Sequence, residues 1–138
     1  MPASATFSHL PGKGIEGQQP VAADIDEVRA IFETNVFGVI NVTSAFLSLL
    51  HRSAAPRIVN VSSSAGSLSK LADLDDPNPV AIGYVPSKTA LTFLTLQYAK
   101  ALAPDRILVN AVCPGFVATD LNNFAGVCTC GCRERRPP

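Results

Sequence analysis

Tyr84 and Lys88, with Ser63 upstream, have the residue types and spacing for proton chemistry. Residues i and i+4 of a helix share one face, so Lys88 would stand one turn beyond Tyr84. An ammonium beside a phenol favours the phenolate and lowers the phenol's pKa. A phenol titrating at about 10 is a poor acid or base at neutral pH, and one moved towards 7 is a useful one. The other tyrosine, Tyr98, has Leu102 four places on, so the 84–88 pair is the only one of its kind. A Tyr–Lys pair at this spacing is also a common solvated helix face, and what surrounds it decides between the two.

The elements that must hold these residues follow from periodicity. Asp24 opens a helix, with Glu27 three residues on as in a capping box. Val28, Ile31, Phe32, Val36, Val39, Ile40, Phe46, Leu47 and Leu50 recur at helical spacing, and Phe37, Val42 and Leu49 widen the stripe. A helix over 24–50 that is apolar nearly all round is expected to be buried on two sides. Arg57–Val61 reads as a β-branched strand running into Ser62-Ser63-Ser64-Ala65-Gly66, followed by a polar loop over 67–83. A second helix spans about 84–103, with Pro86 in its first turn, where a missing N–H costs nothing. A strand over 107–112 then ends at Cys113-Pro114-Gly115. Helices alternate with strands that are apolar throughout, which predicts a parallel sheet with helices on both faces. Residues 1–23 read as loop, 24–125 as the folded domain, and 126–138, rich in Cys, Arg and Pro, as a disordered tail.

Composition narrows the function classes. Eleven basic and eleven acidic side chains balance, so no nucleic-acid partner is expected. Charged residues make up 16%, below the usual quarter or so, as suits elements covered on several sides. The longest apolar run, 36–50, is interrupted by Asn41, Thr43 and Ser44, so no membrane span is expected. No basic stretch followed by an apolar one opens the chain, and the expected location is cytoplasmic. Cys113, alone at a strand end, reads as a buried hydrophobe. Cys128, Cys130 and Cys132 lack the C-x-x-C spacing of zinc sites, so no metal is expected. Gly12, Gly14 and Gly17 spell G-x-G-x-x-G. That fingerprint works only between a strand and a helix, and the flanking His9-Leu10-Pro11 and Gln18-Gln19-Pro20 are neither.

Four motifs in order give the pair its context. Thr34-Asn35-Val36-Phe37-Gly38, the strand over 58–66 ending in S-x-A-G, the Y-x-x-x-K of Tyr84 and Lys88, and the stretch 109–120 with P-G-x-x-x-T resemble the short-chain dehydrogenase/reductase family. Taken singly, Asn35 is an ordinary helix polar residue, Ser62, Ser63 and Ser64 are turn residues, and Pro114-Gly115 is a breaker. The gap between serine and tyrosine and the Asp120-Leu121-Asn122 ending resemble carbonyl-reductase-like members.

The resemblance implies the C-terminal half of a Rossmann-like, doubly wound parallel α/β domain. It also implies an oxidoreductase that reduces a carbonyl or oxidises an alcohol with NADP or NAD. Tyr84 would then be the general acid or base, Lys88 would lower its pKa and hold the nicotinamide ribose, Ser63 would hold the carbonyl, and Asn35 would position a water. Pro114, Gly115, Val117 and Thr119 would receive the nicotinamide carboxamide and phosphates, with Ser62 and Ser64 structural. Self-association through the helices over 24–50 and 84–103 is implied as well. Set against the family pattern, the strand, Gly-rich turn and helix that bind the adenosine half have no counterpart, nor do the last strand and substrate-covering helices. The alternative reading is therefore a truncated, catalytically silent piece that acts as a dimerisation module.

Overall fold

The computed structural model describes residues 18–73, 75 and 80–118. The glycine triplet at 12–17, Thr119, the 120–122 ending and the cysteine-rich tail lie outside the described residues.

Asp24 caps the first helix as its sequence context predicts. Its carboxylate accepts from the backbone N–H groups of Asp26 at 3.0 Å and Glu27 at 3.3 Å, satisfying donors that no helical carbonyl can reach. The expected helix over 24–50 is continuous but not uniform. Helix α1 (Ile25–Phe32) widens into a π-helical turn, Glu33–Phe37, before α2 (Gly38–Leu50) resumes regular winding. By length and composition alone the resulting 26-residue Ile25–Leu50 helix is long and apolar enough to cross a membrane, a test that the core helix of a soluble protein also passes. Asn41, Thr43 and Ser44 are uncharged, and a polar residue without charge interrupts an apolar helix far less than an ionised one.

Strand β1 (Arg57–Val61) has the bounds its sequence predicts, whereas β2 runs Leu108–Val112 and leaves Ile107 before the strand as a buried anchor. The two pair in parallel, Arg57 opposite Leu108 through to Val61 opposite Val112. Parallel neighbours need a crossover. It is supplied by a 3-10 turn (Ser64–Gly66), the short α3 (Leu68–Leu71) and the long α4 (Tyr84–Leu102). Part of the stretch expected as loop over 67–83 is thus helical.

Alternate residues of a strand face opposite sides of the sheet, and here the two sides differ. Ile58 and Val109 pack with Leu102 and Ile107 against Leu47, Leu50, Tyr98 and Ala99. On the same side the Asn60 amide donates to Thr95 Oγ1 of α4 at 2.9 Å. The opposite side is bare among the described residues, with Val59 57%, Val61 56% and Leu108 58% exposed. The expected burial of the first helix on two sides is likewise not met: Phe37, Val42, Phe46 and Leu49 are all exposed. Cys113 is exposed rather than buried, because it follows the end of a strand whose outer edge has no described neighbour.

Candidate functional site

The site assembles where β1 ends and α4 begins. Beyond Val61 the chain turns through Ser63, whose backbone is extended (φ −147°, ψ 145°) and whose hydroxyl accepts from the Ala65 N–H at 3.2 Å. That contact winds the Ser64–Gly66 turn and seats it against α4. A Cβ on Gly66 would lie 2.7 Å from the Thr89 backbone nitrogen and 2.9 Å from the Lys88 carbonyl carbon. Only a residue without a side chain lets the serine turn come this close. Thr89 Oγ1 donates to the Gly66 carbonyl at 2.9 Å and seals the junction.

Tyr84 is the first residue of α4, half-buried beside Ala65, Ala81 and Val85, and its side chain hydrogen-bonds to Ser63. One turn on, the Lys88 ammonium donates to the Val61 carbonyl at 3.0 Å and stands 5.7 Å from the centre of the Tyr84 ring. Ser62 is taken up elsewhere: its hydroxyl donates to the Lys88 carbonyl at 3.1 Å and lies 2.7 Å from Thr92 Oγ1. The Ser64 N–H donates to Cys113 Sγ at 3.1 Å. Cys113 thus stands at the base of the segment that continues through Pro114 and Gly115 to Val117. Gly115 has φ +83° and open space where a Cβ would be.

Ser63, Tyr84 and Lys88 are therefore brought together, and Cys113 lies close enough for its charge to act on Tyr84. Asn35 is linked to the Tyr84 backbone through Ser87. Its amide donates to Ser87 Oγ at 3.0 Å, and the Ser87 hydroxyl donates to the Tyr84 carbonyl at 2.7 Å.

The electrostatics correct one expectation. Burial pushes the Tyr84 phenol above its ordinary 10, the Ser63 hydrogen bond pulls it partly back, and a Cys113 thiolate pushes it up again. Lys88 does not reverse this. Its own pKa is lowered by burial, and its ammonium is committed to Val61. Removing water from around a phenolate outweighs a cation held beyond direct contact. The Cys113 thiol is shifted down, chiefly by the Gly115 backbone N–H, with burial opposing and Ser64 adding to the effect. A protonated phenol beside a serine hydroxyl can donate a hydrogen bond to a carbonyl oxygen, while its raised pKa makes it a weaker proton donor than a free phenol.

Two participants carry no clear sequence signal. Gln18 lies in a stretch without periodicity, yet it is 1% exposed and its side-chain oxygen accepts from the Tyr84 N–H at 2.8 Å. Ser87 sits unremarked inside Y-x-x-x-K, where only its polarity next to Lys88 hints at a role.

The residues present fit one end of a nicotinamide dinucleotide. An ammonium has three donors and Val61 takes one, leaving Lys88 able to serve a ribose hydroxyl beside Tyr84. A phosphate cradle is a different matter. Of the described glycines that follow a strand, Gly66 after β1 has the space at its Cα filled by α4, whereas Gly115 after β2 has open space.

The short chain dehydrogenase family profile matches residues 11–126. A 3-oxoacyl-[acyl-carrier-protein] reductase of Synechocystis is 33% identical over 97 residues, which are 70% of this chain and 36% of that protein. A short-chain dehydrogenase of Penicillium roqueforti is 36% identical over 114 residues, 78% of this chain and 45% of its own. Among solved structures, the NADPH-bound carbonyl reductase from chicken fatty liver superposes with a TM-score of 0.69 at 26% identity, covering 77% of this chain and 44% of that one. The carbonyl reductase Sniffer of D. melanogaster gives 0.69 at 26%, covering 80% and 47%. The chain thus spans less than half the length of these relatives, and its strands and helices form part of a Rossmann-like α/β domain. The family match takes in every helix and strand built above and both ends of the crossover that holds Tyr84, and the chain belongs to the short-chain dehydrogenase family.

Proposed function

We propose that this chain carries the catalytic part of an NAD(P)(H)-dependent oxidoreductase that interconverts a small-molecule carbonyl and its alcohol. The observation that carries the reading is the Ser63–Tyr84 hydroxyl pair with Lys88 one turn along. In the reducing direction Ser63 and Tyr84 hold the carbonyl oxygen, and Tyr84 gives it a proton as the carbon gains hydride. Hydride is what the nicotinamide supplies when bound. Lys88 offers its spare donors to the ribose, while Pro114, Gly115 and Val117, together with Thr119 outside the described residues, would receive the nicotinamide carboxamide and phosphates as in the family. Asn35 would position a water of the proton relay, and it also braces the Tyr84 backbone through Ser87. The reading places the protein in the cytoplasm, without nucleic acid, metal or membrane. Copies associate through the apolar helix faces that expose Phe46 and Phe93.

One observation favours a second reading. Among the described residues Val59, Val61 and Leu108 expose an apolar sheet face, and a contiguous exposed apolar patch marks an interaction surface. A chain stabilised only by self-association, with no dinucleotide held, would be a dimerisation module without turnover. Titrating the purified chain with NADPH and NADH while following nicotinamide fluorescence separates the two. Saturable binding is the expected result, with Tyr84→Phe leaving binding intact and abolishing carbonyl reduction. No binding of either nucleotide would leave the module reading standing, and turnover surviving in Tyr84→Phe would remove the assigned acid.

A further inference from the structure

Among the described residues, Gln18 and Ser87 are polar side chains with almost no exposure, 1% and 0%. Both spend their polarity on the backbone of one residue. Gln18 Oε1 accepts from the Tyr84 N–H at 2.8 Å, and Ser87 Oγ donates to the Tyr84 carbonyl at 2.7 Å. Burying an amide or a hydroxyl is costly unless a hydrogen bond replaces water. Two buried polar groups converging on the backbone of one residue, one on each of its flanking peptides, are therefore a specific arrangement.

The need for it lies in where Tyr84 sits. The first residues of a helix have N–H groups with no helical acceptor. A side chain just before the helix usually supplies one, but Gly83 has none to offer. Gln18 takes that place from 66 residues away. It is itself tied down, because its backbone carbonyl accepts from the Ile82 N–H at 2.9 Å. Glycine at 83 leaves room for this contact: a Cβ there would lie 2.8 Å from Ile31 Cδ1 and 3.1 Å from Gln18 Oε1, so those side-chain ends would have to shift. On the other side Ser87 is held by Asn35 of the π-helical turn, at 3.0 Å. Helix ends fray, and a phenol on the first residue of a helix would fray with it.

We propose that Gln18 and Ser87 are positioning residues that clamp the Tyr84 backbone from both sides, at its N–H and its carbonyl, so that its hydroxyl stays against Ser63. Asn35 acts on Tyr84 through Ser87 in the same device. The proposal deepens the oxidoreductase reading above and rests on Tyr84 being its acid, but its tests need no turnover.

The first test uses the unaltered chain. In amide hydrogen exchange followed by NMR, the Tyr84 N–H should exchange at least about tenfold more slowly than an open amide, unlike an ordinary first helical residue. Exchange at the open rate, with the Ser87 amide (bonded to Gly83 O at 3.2 Å) protected, would overturn the clamp. The second test reads the phenol. The chain has two tyrosines and no tryptophan, so in a Tyr98→Phe background the absorbance titration reports Tyr84 alone. Lys88 on the same helix and Cys113 beyond β2 are the titratable groups facing it, and both are kept. Gln18→Met and Ser87→Ala should each move the midpoint down towards 10, because burial is the larger of the forces holding it up. A threefold or larger change in proton affinity is expected, about half a pH unit. Folded variants, judged by circular dichroism, with an unchanged midpoint would refute the positioning role. If a variant fails to fold, the exchange result on the unaltered chain decides. A chain that binds no nicotinamide nucleotide but shows both effects loses the oxidoreductase reading and keeps the clamp.

Discussion

Replacing Gly66 with alanine tests whether the serine turn is seated on α4 as closely as its geometry requires. The new methyl would meet the Thr89 nitrogen at 2.7 Å and the Lys88 carbonyl carbon at 2.9 Å, well inside the 3.4 Å at which ordinary contact begins. Both are backbone atoms inside a long helix, so the turn rather than the helix must give way. Moving it breaks the 2.9 Å bond from Thr89 Oγ1 to the Gly66 carbonyl, a loss of about 1 kcal/mol. Forcing a methyl group into a packed junction adds about 1–3 kcal/mol. The expected loss is therefore about 2–4 kcal/mol, a large share of the roughly 5–15 kcal/mol that holds a domain together. In urea denaturation followed by far-UV circular dichroism, a slope of about 1.5 kcal/mol per molar turns this into a midpoint lower by roughly 1.3–2.7 M. Gly115→Ala is the control. It too places a side chain where glycine stands, but at φ +83° with nothing within 4 Å, so it costs only the left-handed backbone preference of about 1–2 kcal/mol. A Gly66→Ala loss no greater than that of Gly115→Ala would refute the close-seating argument.

Three further outcomes follow from the same geometry. Ser63→Ala removes the hydrogen bond that pulls the Tyr84 phenol down, so in the Tyr98→Phe background its absorbance midpoint should rise; a fall would contradict the assigned pairing. Thr95→Val strips the buried Asn60 amide of its acceptor and should cost about 1–3 kcal/mol in the urea midpoint, whereas Thr95→Ser should cost little. The unfolded chain keeps the Lys88 proton up to about its ordinary 10.5, while the folded chain releases it earlier. Burial of the charge therefore weighs on the fold below that window and is relieved as pH rises through it. The stability of wild type relative to Lys88→Met should rise as pH approaches 10.5, and a flat or falling difference would count against it.

What the sequence made legible was local. Asp24 as a cap, the bounds of β1 and the start of α4 at Tyr84 all follow from side-chain chemistry acting within a few residues. The expected pKa of Tyr84 failed because spacing reports neighbours but not burial, and burial decided the direction. Cys113 was misjudged for a similar reason: an apolar strand end is buried only if another element lies over it. Gln18 was invisible because its partner is 66 residues away and the flanking Pro and Gly residues say nothing of what it reaches. The Asn35–Ser87 link is equally non-local, although both residues stand in recognisable motifs.

The π-helical turn Glu33–Phe37 has a consequence for the whole first helix. Fitting one extra residue into a turn rotates everything beyond it by about 100° relative to an unbroken α-helix. One rod thereby addresses two different neighbours without a loop: Ile31 meets Gly83 at the start of α4, and Leu47 and Leu50 meet the core around Ile107. The extra residue acts as a phase shifter between them. Deleting a single residue from this turn would restore regular winding and swing α2 out of phase with that core, while leaving the composition of the helix almost untouched.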